Sequence, residues 1–408
     1  MASKTLLCLG GAQHQVTAIE TAKRLGVRTV LCDYLPDNPG QHVADRFYLK
    51  STTDFDEMLQ VARDEHVDGV ISFGSDAAAP IAARVCEELG LPTNPYQSVL
   101  ILSEKYLFRD YLRDHGFNCP AHVSFPSTVT PAQLVDLLGG AGVHAPLLLK
   151  PTDSSGSKGV TVLRELDRDR LGAALDYARE YSRNGTLIAE EFIEAEYPHV
   201  IGGDVFVAQG RVRFWGLMDC LRDEAVNGLV PVGKAYPCGI GDEWRRRLQD
   251  EVNRLVQSLG LNFGEMNLEV IVARGGVPYI VELGGRAGGN LIPAQLTQVS
   301  GIDLVEACVR YALGDESMDV AFDGGGRCVA SYVLHPTGKA GAFQGVSIDP
   351  CIRDNVTRVQ YYQPMGTPVQ WLVNSGQTLG VVFLEFGRPE VMRETMAHIG
   401  ELVSAKVE

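Results

Sequence analysis

Two glutamates carry the clearest chemical signal in this chain. Glu269 lies in one apolar run and Glu282 near the end of another, and Gly284-Gly285-Arg286-Ala287-Gly288-Gly289-Asn290 follows at once. Leu268, Val270 and Val272 alternate with Asn267, Glu269 and Ile271, and Val277 to Leu283 is β-branched and aliphatic. The pattern predicts two strands joined by the turn Arg274-Gly275-Gly276. In such a hairpin the two carboxylates can approach each other. Like charges side by side are costly without a cation, and hard oxygen ligands suit Mg²⁺ that keeps waters and phosphate oxygens around it. Taken alone, the same acids could equally lie on the solvated face of an ordinary hairpin, because charged residues are mostly exposed.

A second feature lies upstream. Leu148-Leu149-Lys150-Pro151 is an apolar strand ending in a lysine, followed by Asp153-Ser154-Ser155-Gly156-Ser157-Lys158-Gly159-Val160. Glycines and serines let consecutive backbone N–H groups approach an anion, hydroxyls add donors, and a lysine supplies a point charge for phosphoryl oxygens. The loop is not a Walker motif, since the Gly-x-x-x-x-Gly-Lys-Ser/Thr order is absent and a strand follows it. An ordinary turn would also use Gly and Ser. Ile188-Ala189-Glu190-Glu191-Phe192-Ile193 then ends a strand and leads into Glu194-Ala195-Glu196-Tyr197-Pro198-His199. Such a segment between two lobes could present backbone groups to an adenine edge and Glu196 to ribose hydroxyls, or it could be a solvated linker.

The elements that must position these groups can be read in outline. Strands at Thr5–Leu9, Thr29–Cys32 and Gly69–Ser72 alternate with helical stretches ending near Leu25, Glu65 and Leu89, so a Rossmann-like parallel sheet with covering helices is expected. Gly10-Gly11-Ala12-Gln13 follows the first strand and Asp33 ends the second, but the Gly-x-Gly-x-x-Gly spacing of a dinucleotide fingerprint is missing. Leu91-Pro92-Thr93-Asn94-Pro95 marks the first boundary. A helical stretch carrying Glu104-Lys105-Tyr106 runs to His115-Gly116. A small α/β unit follows, with Leu147–Lys150, Val160–Leu163, a helix Leu171–Tyr181 and Thr186–Ile193. A helix Glu243–Leu259 precedes the hairpin and a helix Leu304–Leu313 follows it. The last section has short β segments and a closing helix from Pro389 to Val403. The division expected is 1–95, 96–314 with a flexible lid over 118–192, and a small β-rich section over 315–408.

Composition bounds the rest. With 408 residues, 45% hydrophobic and 21% charged, the chain is long enough for two or three domains. No apolar run approaches membrane-spanning length, and the N-terminus reads as a first strand, so a cytoplasmic protein is expected. Nine cysteines without a Cys-x-x-Cys pair argue against a disulfide framework and a zinc site. A formal charge of −15 disfavours a nucleic-acid surface while leaving room for a local phosphate pocket.

In their order along the chain, Lys105, Leu149-Lys150-Pro151 with Ser154–Val160, Glu190–Ile193, and Glu269 with Glu282–Arg286 resemble the ATP-grasp superfamily. The resemblance implies an α/β ATP-grasp fold with a Rossmann-like pre-domain, and ATP with Mg²⁺, two ions, Mn²⁺ being an alternative. It implies that Lys105 and Lys150 bind phosphates under a loop formed by Ser155, Gly156, Ser157 and Gly159. Glu190, Glu191, Phe192 and Ile193 would form the adenine hinge, and Glu196 would meet the ribose. Glu269 and Glu282 would ligate the metal, and Arg286, with Lys150, would act in catalysis on the transferring phosphoryl group. Many members carry asparagine two residues after the second metal acid, where this chain has Gly284; Asn290 is the substitute in reach.

Within the superfamily the sequence is most similar to carboxylate–amine ligases, which convert a carboxylate to an acyl phosphate and join it to an amine with release of ADP and phosphate. The partners implied are a small carboxylate and an amine, with no nucleic acid and no membrane; a homodimer is compatible. Substrate contacts expected from loop positions are Gln13, Ser75, Asp76, Asn227, Lys234 and Arg286. Three other readings remain open: a carboxyphosphate-forming enzyme like biotin carboxylase or the purine-pathway carboxylases, a nucleotide-binding protein without turnover, and a dinucleotide oxidoreductase, which the glycine spacing disfavours. The lack of a Ser/His/Asp or Cys/His arrangement fits chemistry without a covalent enzyme nucleophile, and His199 and His335 read as structural.

Overall fold

The computed structural model describes residues 4–223, 228–336, 340–369 and 377–408. At the N-terminus, β1 (Thr5–Leu9), α1 (Val16–Arg24), β2 (Arg28–Asp33), β3 (Arg46–Leu49), α2 (Phe55–Asp64), β4 (Gly69–Ile71) and α3 (Ala79–Leu89) alternate. Their strands form a wholly parallel sheet in the order β3-β2-β1-β4. The continuous apolar run of β1 is fully buried, as a strand covered by helices on both faces must be. Strand β3 escaped the sequence reading because Arg-Phe-Tyr-Leu has no clean alternation; it is a short, partly exposed edge strand.

The helical stretch expected after Pro95 is two helices, α4 (Tyr96–Ser103) and α5 (Lys105–Asp114), broken where Glu104 takes φ −109° and ψ 111°. The break turns the Lys105 N–H toward Thr152 O at 3.0 Å and so brings the start of α5 to the lid. The lid comprises β5 (His122–Pro126), α6 (Pro131–Ala141), β6 (Leu147–Pro151), β7 (Thr161–Leu163), α7 (Arg168–Tyr181) and β8 (Thr186–Glu191). Its antiparallel sheet runs β5-β8-β6-β7. The helix α6 went unread, although Thr130 and Gln133 form a reciprocal capping box at its start.

Next come β9 (Val200–Ala208), β10 (Arg211–Arg222), β11 (Pro231–Tyr236), α8 (Asp242–Ser258), β12 (Phe263–Ala273), β13 (Val277–Gly284), α9 (Ile292–Ser300) and α10 (Leu304–Ala312). The C-terminal section adds β14 (Cys328–Leu334), β15 (Gly341–Ile348), β16 (Val356–Tyr361), β17 (Pro368–Val369), β18 (Gly380–Phe386), α11 (Pro389–Ala397), α12 (Ile399–Leu402) and β19 (Val403–Val407). The expected closing helix therefore stops early: His398 at φ −120° interrupts it, and β19 pairs with β15. An eight-stranded sheet in the order β13-β12-β9-β10-β11-β14-β18-β16 crosses residue 315 without a break, so the C-terminal section shares its main sheet with the residues before it.

This sheet is filled on both faces. Val205 and Val207 of β9 pack with Leu248, Val252, Leu255 and Val256 of α8. The alternate residues Phe206 and Ala208 meet Leu296, Leu304 and Tyr311 from α9 and α10. Period-2 alternation in the strand thus feeds two helix layers. On its far side α10 presents Val309, Ala312 and Leu313 to Leu6, Cys8 and Leu31 of the parallel sheet, which anchors the N-terminal unit. Among the described residues, no helix is long and apolar enough to cross a membrane.

The hairpin β12–β13 turns through Arg274-Gly275-Gly276, with Gly275 at φ 75° and Gly276 at φ 73°. A Cβ on Gly276 would lie 2.2 Å from Trp244 Nε1, whereas one on Gly275 meets nothing within 4 Å. Alanine at either position must adopt a left-handed backbone that costs an L-residue about 1–2 kcal/mol. We therefore predict that Gly276→Ala lowers the denaturant unfolding midpoint well beyond Gly275→Ala, because only the former also displaces the indole. Equal midpoints would show that the indole contact contributes nothing.

Candidate active site

The register of the hairpin sets the two glutamates face to face. Glu269 pairs with Glu282 across β12 and β13, beside an irregularity between Glu269 and Val270. Burial, then Asp76 and Glu269, push the Glu282 carboxyl above its ordinary range, with Lys105 and Arg286 pulling the other way. A carboxylate crowded by two others is a place where a cation is favoured. Among the described residues no group of three or more His, Cys, Asp or Glu is arranged to hold a metal. The pair would therefore supply part of a coordination shell whose remainder is water and phosphate oxygen, which suits Mg²⁺.

Glu282 opens into a cavity of about 420 Å³ between the N-terminal unit, α5 and the lid. Asp76 and Ser75 line it from the turn after β4, Lys105 from the start of α5, and Ser154 and Ser155 from the loop after β6. Residues far apart in sequence thus share one space. The Lys105 ammonium donates to Ser154 O. In the loop, Gly156, Ser157 and Gly159 take φ of 67°, 61° and 72°. Ser155 and Gly156 are exposed, Gly159 is buried, and Ser157 Oγ donates to Leu229 O at 2.9 Å. These left-handed positions let the loop turn tightly.

Lys150 is buried at the end of β6 and donates to the Glu190 carboxylate. Arg109, 1% exposed, donates to the same carboxylate through Nε at 2.9 Å and to Val281 O through Nη1 at 3.0 Å. Burial raises the Glu190 pKa, but Arg109 and Lys150 outweigh it and hold the carboxyl down at about 2. The Lys150 pKa moves down, through burial and the Arg109 charge. The two directions agree physically, since one carboxylate cannot fully compensate two cations and the guanidinium does not give up its proton. Arg109 was missed in the sequence; its only signal was an arginine on the apolar face of α5, among Phe108 and Leu112.

At the hinge the Glu190 carboxylate is committed to Arg109 and Lys150. Glu191 N–H is bound by Ala121 O at 2.8 Å and Phe192 N–H by Pro146 O at 2.9 Å, which fixes the chain entering Ile193. Glu196 is exposed and accepts from Gly275 N–H at 2.6 Å, so it stands at the hairpin tip.

The other expected contacts divide. Arg286 makes two parallel bonds of 2.7 Å to Asp76, and its Nη2 lies 3.7 Å from Glu282. Burial would raise the Asp76 pKa, but Arg286 brings it below the ordinary value. Lys234 donates to Cys220 Sγ at 3.0 Å; burial lowers its pKa, and its interactions with Cys220 and Glu269 more than restore it. Gln13 is exposed, and the glutamine that binds the glycine turn is Gln15, which is buried and donates to Phe73 O at 2.9 Å. Asn290 has φ 51° just before α9, and no hydrogen bond joins it to either metal-facing glutamate. Asn227 lies outside the described residues. Asp204, unread in the sequence, is fully buried on β9 and accepts from Gly288 N–H and Asn267 Nδ2, both at 2.8 Å. His335 is buried with Nδ1 on Val333 O, and burial lowers its pKa.

A parallel-sheet unit, a lid and a broad sheet edged by a carboxylate-bearing hairpin define a two-lobed fold closed around one polar cavity. A crystal structure of L-amino acid ligase from Bacillus licheniformis superposes with a TM-score of 0.78 at 21% identity, covering 100% of this chain and 99% of that one. Family models of the ATP-grasp N-terminal domain and the ATP-grasp domain match residues 19–93 and 102–290. The chain belongs to the ATP-grasp superfamily. Dapdiamide A synthase of Enterobacter agglomerans is 24% identical over 81% of this chain and 78% of its own length. Alanine–anticapsin ligase of Bacillus subtilis is 23% identical over 65% of this chain, which spans 62% of that protein.

Replacing Arg109 by Met leaves a buried carboxylate short of a partner, which costs about 3–5 kcal/mol. Because the folded Glu190 pKa lies below its ordinary 4.5, the stabilisation is complete above that pH and is lost as pH falls toward about 2. Unfolding midpoints of Arg109→Met should accordingly be lower at neutral pH and fall less steeply on acidification; parallel pH curves would remove the charge argument.

Proposed function

We propose that this protein is an ATP-dependent carboxylate–amine ligase, forming an amide from a small carboxylic acid and an amine with release of ADP and phosphate. The observation that carries the reading is the placement of Glu269 opposite Glu282 at the edge of the cavity that Lys105 and the Ser154–Ser155 loop also line. The names of two relatives, a ligase joining alanine to anticapsin and a dapdiamide synthase, support the same class of reaction.

A carboxylate is a poor electrophile because its leaving group would be oxide; phosphorylation turns that group into phosphate. Lys105, Lys150 and the backbone of Ser155–Gly159 hold the triphosphate by charge and N–H donation. The Glu190–Ile193 backbone meets the adenine edge and Glu196 the ribose. Glu269 and Glu282 would hold Mg²⁺, which would supply charge neutralisation at the phosphoryl oxygens. Arg286 stands beside Glu282, where it can stabilise charge on the transferring group and on the acyl phosphate. Ser75, which lines the cavity, and Lys234, whose ammonium interacts with the charge of Glu269, are the substrate contacts of this proposal. The lid keeps water from the acyl phosphate, so the amine is the nucleophile that expels phosphate.

The test is release of ADP from MgATP across paired panels of acids and amines. Release should require both members of a pair; release with bicarbonate alone would replace this reading with a carboxyphosphate-forming one. Glu282→Gln should lower turnover about 100-fold or more. Because it removes a charge crowded by Asp76 and Glu269, its thermal midpoint should stay level or rise. Full activity in that variant would end the metal assignment.

A further inference from the structure

The contact between Asp76 and Arg286 joins two loops 210 positions apart, one after β4 in the N-terminal unit and one after β13. The Arg286 backbone is held from the central sheet: its carbonyl accepts from Asn267 N–H at 2.9 Å, and Asp204 grips Gly288 N–H two residues on. The guanidinium is a separate matter. Its Nη1 donates to Ala287 O at 3.1 Å, a single bond about which the plane can still rotate. The two parallel bonds to Asp76, 2.7 Å each with the arginine side chain only 9% exposed, set that plane.

Gly284 belongs to the same arrangement. A Cβ there would stand 3.3 Å from Asp76 Oδ1 and 3.4 Å from Arg286 Cζ, so the further atoms of a longer side chain would enter the pair. The glycine that departs from the superfamily pattern is therefore the residue that leaves room for Asp76. We propose that Asp76 is a positioning residue: the N-terminal unit orients Arg286 for the phosphoryl and acyl-phosphate steps, and Gly284 keeps the space this needs. The proposal rests on the role given to Arg286 above. It differs from direct binding of the amine by Asp76, in which the carboxylate would touch substrate.

The experiment compares Asp76→Asn, which keeps volume, Asp76→Ala, Gly284→Asn and Arg286→Ala. One readout is ADP release from MgATP with a mixture of the proteinogenic amino acids; the other is the solvent exchange of the Arg286 guanidinium Nε–H, followed by NMR of protein labelled with ¹⁵N-arginine in the ligand-free state. Both Asp76 variants and Gly284→Asn should speed exchange of that Nε–H, which Asp76 otherwise holds at 2.7 Å. They should lower kcat about 100-fold, the cost of a small misplacement, while half-saturation by MgATP and by the mixture changes little. Formate should restore part of the kcat of Asp76→Ala and leave Arg286→Ala unrescued. Unchanged Nε–H exchange in the Asp76 variants would overturn the proposal whatever the turnover. Retained kcat with a raised requirement for the mixture would also overturn it, making Asp76 a substrate ligand. If Arg286→Ala is inactive while the Asp76 variants match wild type, positioning alone fails; a fully active Arg286→Ala removes the role of Arg286 and the proposal with it.

Discussion

One buried carboxylate holds the parts of this protein that build its site. Glu190 lies on β8 of the lid, Lys150 beside it on β6, and Arg109 reaches in from α5 while bonding the carbonyl of Val281, the neighbour of Glu282 on β13. A charge this deep is tolerable only with partners in fixed places, and removing either partner exposes its full desolvation cost. The requirement aligns three elements from separate stretches of chain. It brings Lys150, the strand end at Glu190 and the β12–β13 hairpin into one frame.

A second balance of charge governs the cavity mouth. Asp76 and Glu282 line it with Lys105, and Glu269 and Arg286 add their charges around Glu282. Arg286 pairs with Asp76 and stays within reach of Glu282, so the N-terminal unit enters the electrostatics of the hairpin instead of serving only as a platform. The apolar contact of α10 with β1 and β2 makes that connection rigid enough for a bidentate pair to form. Burial of hydrocarbon sets the distance between the units, and the ion pair uses it.

Much of this was legible in the residues because it rests on local pattern. The opposed glutamates follow from alternation on either side of a glycine turn, and the observed pairing is one of residue against residue. The lysine-ended strand and its Ser/Gly loop were readable for the same reason. Apart from α6, whose capping box is a local signal, the misread elements lacked one. Strand β3 has no periodicity, the split between α4 and α5 depends on a bond from Lys105 to Thr152 O, and the end of α11 is tied to the pairing of β19 with β15. Gln15 went unread because spacing alone does not say which of two nearby glutamines turns inward.

The sequence by itself determined the order of the chemical groups, the αβ alternation of the N-terminal unit, the hairpin and its two acids, because strand period, turn glycines and apolar runs act over a few residues. Tertiary structure decided what each charge faces. That Glu190 turns from the hinge to Arg109, that Asp76 meets Arg286, and that Asp204 holds Gly288 from beneath are outcomes of long-range packing. Electrostatic partners separated by 81, 210 and 84 positions leave no periodic trace in the chain. Their pairing is imposed by the desolvation cost of leaving any one of them buried and alone.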